Sequence, residues 1–236
     1  LGKKEPKVPK ECYRDLIIAA LLNMTVFQIC MTLGVHYFSA GRTVVVVYTM
    51  PLWAILFAWF ILKEPIPLSR LIALALGLAG LAVLMSQDFS HLKDPGLGAA
   101  CTVIGAISFG LGTVWMKRRT WVTDPTVVAG WQLLIGTVPL VPLWLILGTD
   151  TDWANLSLVT LGNFIFLILI ANVLAYFLWF RILHIFPASV SGLGTLAVPI
   201  VGVIASSTLL TETFGVNELL ALVLIISALA MNLKTP

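Results

Sequence analysis

Eight apolar segments follow one another along the chain, and most are close to the ~20 residues that an α-helix needs to cross a bilayer. They cover residues 15–38, 43–62, 68–87, 96–116, 125–147, 157–181, 187–210 and 216–234. Hydrophobic residues make up 59% of the sequence and charged residues only 11%, against about a quarter in soluble domains. Because helices and closed barrels alone satisfy their backbone polar groups in lipid, the sequence predicts an all-α polytopic membrane protein.

The basic residues fall almost entirely on one side of this predicted membrane. If the segments cross alternately, the side that carries the N-terminus receives twelve of the fourteen Lys and Arg residues, and the other side receives Arg42 and Lys93. The positive-inside rule then makes the first side, with both termini, cytoplasmic. The run Lys117-Arg118-Arg119 is interpreted as a topology anchor, with binding of anionic lipid as the alternative; nucleic acid is not an expected partner.

The sequence repeats itself with an offset of 148 residues. The offset aligns Pro51 with Pro199 and Glu64 with Glu212 without a gap. We divide the chain into residues 1–87, the last three helices of the first copy with a preceding cytoplasmic loop, and 96–236, a complete five-helix second copy. Two further helices are therefore expected before Leu1.

Such a protein is a ten-helix, five-plus-five inverted repeat, of which eight helices are visible in this chain. An odd number of helices in each copy inverts the second copy relative to the first. Glu64 and Glu212 then lie on opposite faces of the membrane. Each is interpreted as the polar end of a helix, with a gating or capping role as the alternative.

Two segments carry a family resemblance, FSAGRTVVVVYTMPLWAILFAWFILKEPI and FPASVSGLGTLAVPIVGVIASSTLLTETF. Each has an entry of small residues, a central proline and a terminal glutamate, and a Leu/Ala/Gly-rich helix follows. This pattern resembles the signature of the drug/metabolite transporter superfamily, with its EamA-type inverted repeat. Within the superfamily the chain is most similar to the bacterial aromatic amino-acid exporters. The resemblance implies a multi-pass protein of the bacterial inner (plasma) membrane that exports small apolar metabolites, aromatic amino acids above all.

Candidate substrate contacts are polar, aromatic and methionine side chains within the apolar segments, because such side chains usually face a cavity or a partner. Asn172, Tyr176 and Trp179 share one helical face, and Gln28 and Met31 share the equivalent face in the first copy. Packing between helices is the alternative for each. The full set is Gln28, Met31, Tyr48, Met50, Trp131, Asn172, Tyr176, Trp179, Ser191 and Thr195.

Two prolines are candidate hinges. Pro51 and Pro199 fall within apolar segments, and each deprives the carbonyl four residues earlier of its hydrogen bond. The expected result is a kink in each helix. Small residues at Gly105, Ser108 and Gly112 predict a close helix crossing instead of a binding surface.

The predicted mechanism is alternating access between the two copies, with the proline helices bending. All eleven acidic residues lie near segment ends or in loops, so uncoupled or weakly coupled transport is expected. Multidrug or hydrophobic-compound efflux is the alternative activity, and a membrane scaffold without transport is a more distant one. An enzyme is not expected, since the sequence has no H-E-x-x-H, no G-x-S-x-G and no acidic cluster within an apolar helix.

The partners follow from this interpretation. We expect a small-molecule substrate and the lipid bilayer, no cofactor, no metal and a monomeric protein. The three cysteines show no paired spacing, so free thiols are expected.

Overall fold

The computed structural model describes residues 8–38, 43, 46–84, 96–147, 156–198, 201 and 216–234. All regular structure within these residues is helical. Helix α1 runs without a break through Tyr13–Ala20, Leu21–Val26 and Phe27–Phe38, and α2 consists of Met50–Phe57 and Ala58–Leu62. Helix α3 is Leu68–Leu84, α4 is Leu97–Lys117, and α5 consists of Pro125–Thr137 and Leu140–Leu147. Helix α6 consists of Leu158–Phe166, Leu167–Leu174 and Ala175–Ile185, α7 is Ala188–Gly194, and α8 is Val216–Lys234.

Four stretches of helix are long and apolar enough to cross a membrane, namely Lys10–Tyr37, Leu97–Lys117, Pro125–Ile146 and Leu158–Ile185. The apolar helices within α2, α3 and α8 are shorter. Each apolar segment of the sequence thus contains a helix. The predicted class, an all-α polytopic membrane protein, is confirmed.

The span expected over 125–147 consists of two helices and not one. Pro125–Thr137 ends at a turn formed by Val138 and Pro139, and Leu140–Leu147 follows. Pro139 has no N–H to donate to the preceding turn, which accounts for the break.

The two copies share an unusual feature of helix geometry. α1 widens to a π-helix over Leu21–Val26, and α6 does so over Leu167–Leu174. The offset of 148 residues converts 21–26 into 169–174, so the two π-helical segments occupy equivalent positions. Because π-helical turns are rare and concentrate at functional sites, this coincidence directs attention to the middle of α1 and α6.

Small residues let α4 approach its neighbours closely, as their spacing predicted. A Cβ atom on Gly105 would lie 3.0 Å from the Cβ of Cys30, and one on Gly110 would lie 2.8 Å from the Cβ of Trp53. The hydroxyl of Ser108 donates to the carbonyl of Leu22 at 2.8 Å. In lipid, where helices gain little from the hydrophobic effect, such close packing holds a bundle together.

α3 and α8 are equivalent helices of the two copies, and they pack against each other. A Cβ atom on Gly77 would lie 3.6 Å from the Cβ of Ala228, and one on Gly80 would lie 2.8 Å from Ile225. The helices are antiparallel, since the partner's number falls as the glycine's number rises. Adding 148 to 77 and 80 gives 225 and 228, so the offset converts one contact into the other. This reciprocity is what a two-fold relation between the copies produces.

Charged side chains from several helices meet at one end of the bundle, which we call the basic end. Arg119, after α4, pairs with Asp15 at the start of α1, and the indole of Trp115 donates to the same carboxylate at 3.1 Å. Glu64, after α2, bonds the start of α7. These contacts place helix termini together as the alternating topology requires.

Candidate functional site

Aromatic rings from three helices meet near the middle of the bundle. The ring of Phe109 in α4 lies 4.9 Å from that of Phe27 in α1 and 5.4 Å from that of Trp179 in α6, measured between centroids. We call these three residues the aromatic cluster. Met31 and Phe27 pack with the buried Met50 of α2. The cluster thus combines flat apolar faces with polarizable thioethers, a surface suited to an aromatic guest.

Buried polar atoms without a hydrogen-bond partner lie on the same helices and on α7. Asn23 is fully buried, and within the described part of the chain neither carboxamide atom has a partner. The same holds for the hydroxyls of Thr113 and Ser191 and for the indole N–H of Trp179. Buried polar groups are normally hydrogen-bonded, so these atoms are candidates for bonds to a ligand.

The predicted site residues divide into those at this junction and those elsewhere. Met31, Met50 and Trp179 pack in or around the aromatic cluster. Tyr176 reaches the carbonyl of Asn23 at 3.4 Å, and Gln28 is half-buried directly after Phe27 on α1.

The remaining predicted residues have other neighbours. Tyr48 is buried with Leu193 and Leu196 in a separate cluster. Asn172 donates to the carbonyl of Leu167 in its own helix, and the hydroxyl of Thr195 donates to Gly192 in the same way. Trp131 is 40% exposed.

Four residues of this junction lie outside the predicted set, and one of them is Phe27 on α1. Phe109 and Thr113 are on α4, whose glycines indicated packing alone, and Asn23 lies one position before the equivalent of Asn172. Gln132, next to Trp131, is fully buried and donates to the sulfur of Met116 at 2.6 Å. The signal that could have found Asn23 and Gln132 is a carboxamide within an apolar segment.

The proline at the start of α2 lies after a break in the helix. Tyr48 and Thr49 form a turn, and Pro51 occupies the first turn of Met50–Phe57. Pro51 thus lies in the first turn of a helix and not in a helix interior, at a position where a missing N–H does no harm; its role as a hinge stays a prediction. Pro199 lies outside the described residues.

α2 and α7, which belong to corresponding apolar segments of the two copies (43–62 and 187–210), cross near this proline. A Cβ atom on Gly192 would lie 2.8 Å from the Cβ of Ala54 and 3.7 Å from the Cα of Pro51. α7 passes into a turn at Thr195 and Leu196 shortly afterwards. Both helices thus have a close crossing adjacent to a break.

A cavity of about 670 Å³ opens at the basic end, and we call it the vestibule. Its lining includes Glu64, Arg70, Lys117 and Arg118. Beside it, the hydrogen bond with Asp15 raises the pKa of Arg119, which stays charged in any case. The cations give the vestibule a positive character, which attracts anionic groups from solution.

The described carboxylates lie at or near helix ends and not at the aromatic cluster. They are those of Glu11, Asp15, Glu64 and Asp124. Within the described residues no group of three His, Cys, Asp or Glu side chains is arranged to hold a metal ion. The junction therefore offers aromatic faces, amides and hydroxyls to a ligand.

Comparison with known proteins places these features in a family. The profile of the EamA-like transporter family matches residues 1–86 and 96–234. The uncharacterized transporter YvbV of Bacillus subtilis is 28% identical over 225 residues, which cover 94% of this chain and 72% of the relative. A probable amino-acid metabolite efflux pump of Escherichia coli is 25% identical, over 96% of this chain and 78% of that protein.

The fold also has a counterpart among solved structures. One crystal structure superposes with a TM-score of 0.78 at 18% sequence identity, covering 98% of this chain and 78% of the other. The family match spans nearly the whole chain and agrees with its helical membrane architecture. The chain is a member of the EamA-like transporter family.

Proposed function

We propose that this transporter carries small apolar metabolites, aromatic amino acids above all, out of the cytoplasm across a bacterial inner membrane. The observation that carries the proposal is the junction of α1, α4 and α6. There the aromatic cluster lies on the same helices as the unpaired polar atoms of Asn23, Thr113 and Trp179. The rings suit the side chain of an aromatic amino acid, and the carboxamide and hydroxyl suit its ammonium and carboxylate groups.

Transport by alternating access fits the paired helices. α3 and α8 make reciprocal contacts, and α2 and α7 cross at Gly192 next to breaks in both helices. An inverted repeat with a substrate near its middle can expose that site to one side and then the other by rocking one copy against the other. The basic end faces the cytoplasm under the positive-inside rule.

Transport is uncoupled or weakly coupled under this proposal. A proton relay within a membrane usually needs a buried acid, and the described carboxylates lie at helix ends. The name of the Escherichia coli relative, a probable amino-acid metabolite efflux pump, supports amino acids as the substrate class.

Counterflow into proteoliposomes tests the substrate class. Vesicles loaded with unlabelled phenylalanine should take up labelled phenylalanine or tryptophan faster than protein-free vesicles. Phe109→Ala should reduce this uptake, whereas the matched control Phe60→Ala, at an exposed ring, should not. Uptake of a hydrophobic drug cation but of no aromatic amino acid would replace the proposed substrate with the efflux alternative. Movement of neither would refute this substrate assignment.

A further inference from the structure

We propose that Glu64, Arg70 and Ser189 form a latch that closes the basic end of the transporter and opens during each transport cycle. The inference rests on the proposed alternating access and assigns to these residues the closing of one side.

The carboxylate of Glu64 holds the end of α2 against the start of α7. It accepts hydrogen bonds from the backbone N–H of Ala188 at 3.2 Å, from that of Ser189 at 3.5 Å and from the hydroxyl of Ser189 at 2.8 Å. N–H groups in the first turn of a helix have no partner within the helix and carry partial positive charge. The carboxylate of Glu64 thus accepts hydrogen bonds from N–H groups at the start of a helix that belongs to the other copy.

Arg70, near the start of α3, completes the latch. It is only 4% exposed, and its guanidinium donates to the hydroxyl of Ser189 at 3.0 Å and to the carbonyl of Pro65 at 3.5 Å. Ser189, itself fully buried, therefore accepts from Arg70 and donates to Glu64. Segments of α2, α3 and α7, from the two copies, thus converge on one serine, whose hydroxyl links the guanidinium of Arg70 to the carboxylate of Glu64.

The latch borders water on one side and the crossing of the two helices on the other. Glu64 and Arg70 line the vestibule, so water entering there can replace their hydrogen bonds when the latch opens. Ser189 is three residues from Gly192, where α7 touches Ala54 of α2. About ten residues between Ala54 and Glu64, at the rise of an α-helix, give a lever of ~15 Å. A small rotation at the crossing therefore separates Glu64 from α7.

The test is the accessibility of a cysteine placed just inside the latch. Ser191→Cys is suitable because Ser191 is 2% exposed and lies two residues beyond Ser189. The free cysteines Cys12, Cys30 and Cys101 are first replaced. A membrane-impermeant maleimide is then applied to right-side-out and to inside-out vesicles.

Glu64→Gln should raise the labelling rate from the basic end by about tenfold, since it removes a charged acceptor of three hydrogen bonds. Ser189→Ala, which keeps the carboxylate of Glu64, should raise the labelling rate less. Glu11→Gln, at an exposed carboxylate of the same end, should leave the labelling rate unchanged. A rate unchanged in both latch variants would overturn the proposal, and so would an equal rise from both sides, which indicates general loosening.

If Glu64→Gln does not fold, the result with Ser189→Ala decides in the same way. The measurement needs no substrate. A failed transport assay therefore refutes the proposed substrate class without affecting the latch, and unchanged labelling refutes the latch without affecting the proposed substrate class.

Discussion

Asp15 shows how a single carboxylate is tolerated in an apolar helix. It is 8% exposed, and it accepts a hydrogen bond from the indole of Trp115 and pairs with Arg119. The partners come from the end of α4 and the loop that follows, far away in sequence. Because Arg119 lies at the protein surface, solvent screens its attraction to Asp15. The hydrogen bond from the Trp115 indole to the carboxylate therefore contributes more to stability than the ion pair does.

Asp15→Asn should lower the thermal unfolding temperature in detergent by several degrees. The change removes the charge that Arg119 faces and weakens the acceptor for the Trp115 indole. Glu11→Gln, at an exposed position of the same helix end, serves as the control and should leave the temperature unchanged. Equal unfolding temperatures for the two variants would mean that the contacts of Asp15 contribute nothing to stability.

Trp179→Phe separates binding from packing at the aromatic cluster. The variant keeps a ring beside Phe109 but removes the buried, unpaired N–H. Uptake at low phenylalanine concentration should fall about fivefold, which corresponds to ~1 kcal/mol for one hydrogen bond. Stability should change little, because no hydrogen bond within the protein is lost and a ring still packs beside Phe109. Trp59→Phe, at an exposed ring, should change neither quantity; an equal loss of uptake there would remove the special role of Trp179.

For single residues, the sequence predicts side chains that share a helix and misses those that meet across helices. Spacing of three and four residues places Trp179 with Asn172 and Tyr176 on one helical face, and Met31 with Gln28 on the equivalent face. Phe109, whose ring contacts those of Phe27 and Trp179, has no such signal because these partners are dozens of residues away in sequence. Whether these side chains bind substrate stays a prediction.

α4 packs against α1, α2, α6 and α7. Its glycines allow α1 and α2 to approach its backbone, whereas a Cβ atom added to Gly130, an exposed glycine on α5, would meet nothing within 4 Å. The two environments allow the same substitution to be compared within one protein.

Gly110→Ala should destabilise the protein by about 1–3 kcal/mol, because the new methyl group would lie 2.9 Å from the backbone nitrogen of Ala54 and backbone yields little. Gly130→Ala should be neutral or stabilising, since alanine favours helix and meets open space. Chemical unfolding in mixed micelles compares them. A loss of stability shared equally by both variants would contradict the close packing of α4 on α2.

Elements were predicted well where the apolar run was continuous and less well where a proline interrupted it. The spans of α4 and α6 follow the predicted segments closely. The breaks at Pro139 and before Pro51 were not placed, since a proline indicates a disturbance and tertiary packing decides between a kink and a new helix. No pattern in the sequence predicts the π-helical segments.

For the whole molecule, the repeat relates one half of the bundle to the other. The offset of 148 residues came from sequence, and the reciprocal contacts of Gly77 and Gly80 agree with it. The central stretch of α6 has none of its residues buried, whereas its equivalent, α1, packs against α4 and α5. The division into copies at 1–87 and 96–236 stays a prediction.

The main proposal is that this transporter moves aromatic amino acids between the two sides without using a proton gradient. Uptake of labelled phenylalanine into proteoliposomes should be measured with and without an imposed pH gradient, in vesicles that contain either unlabelled phenylalanine or none. Uptake above equilibrium is expected only in vesicles with internal phenylalanine, with equal rates in the presence and absence of the gradient. Accumulation in empty vesicles that requires the pH gradient would contradict the proposal.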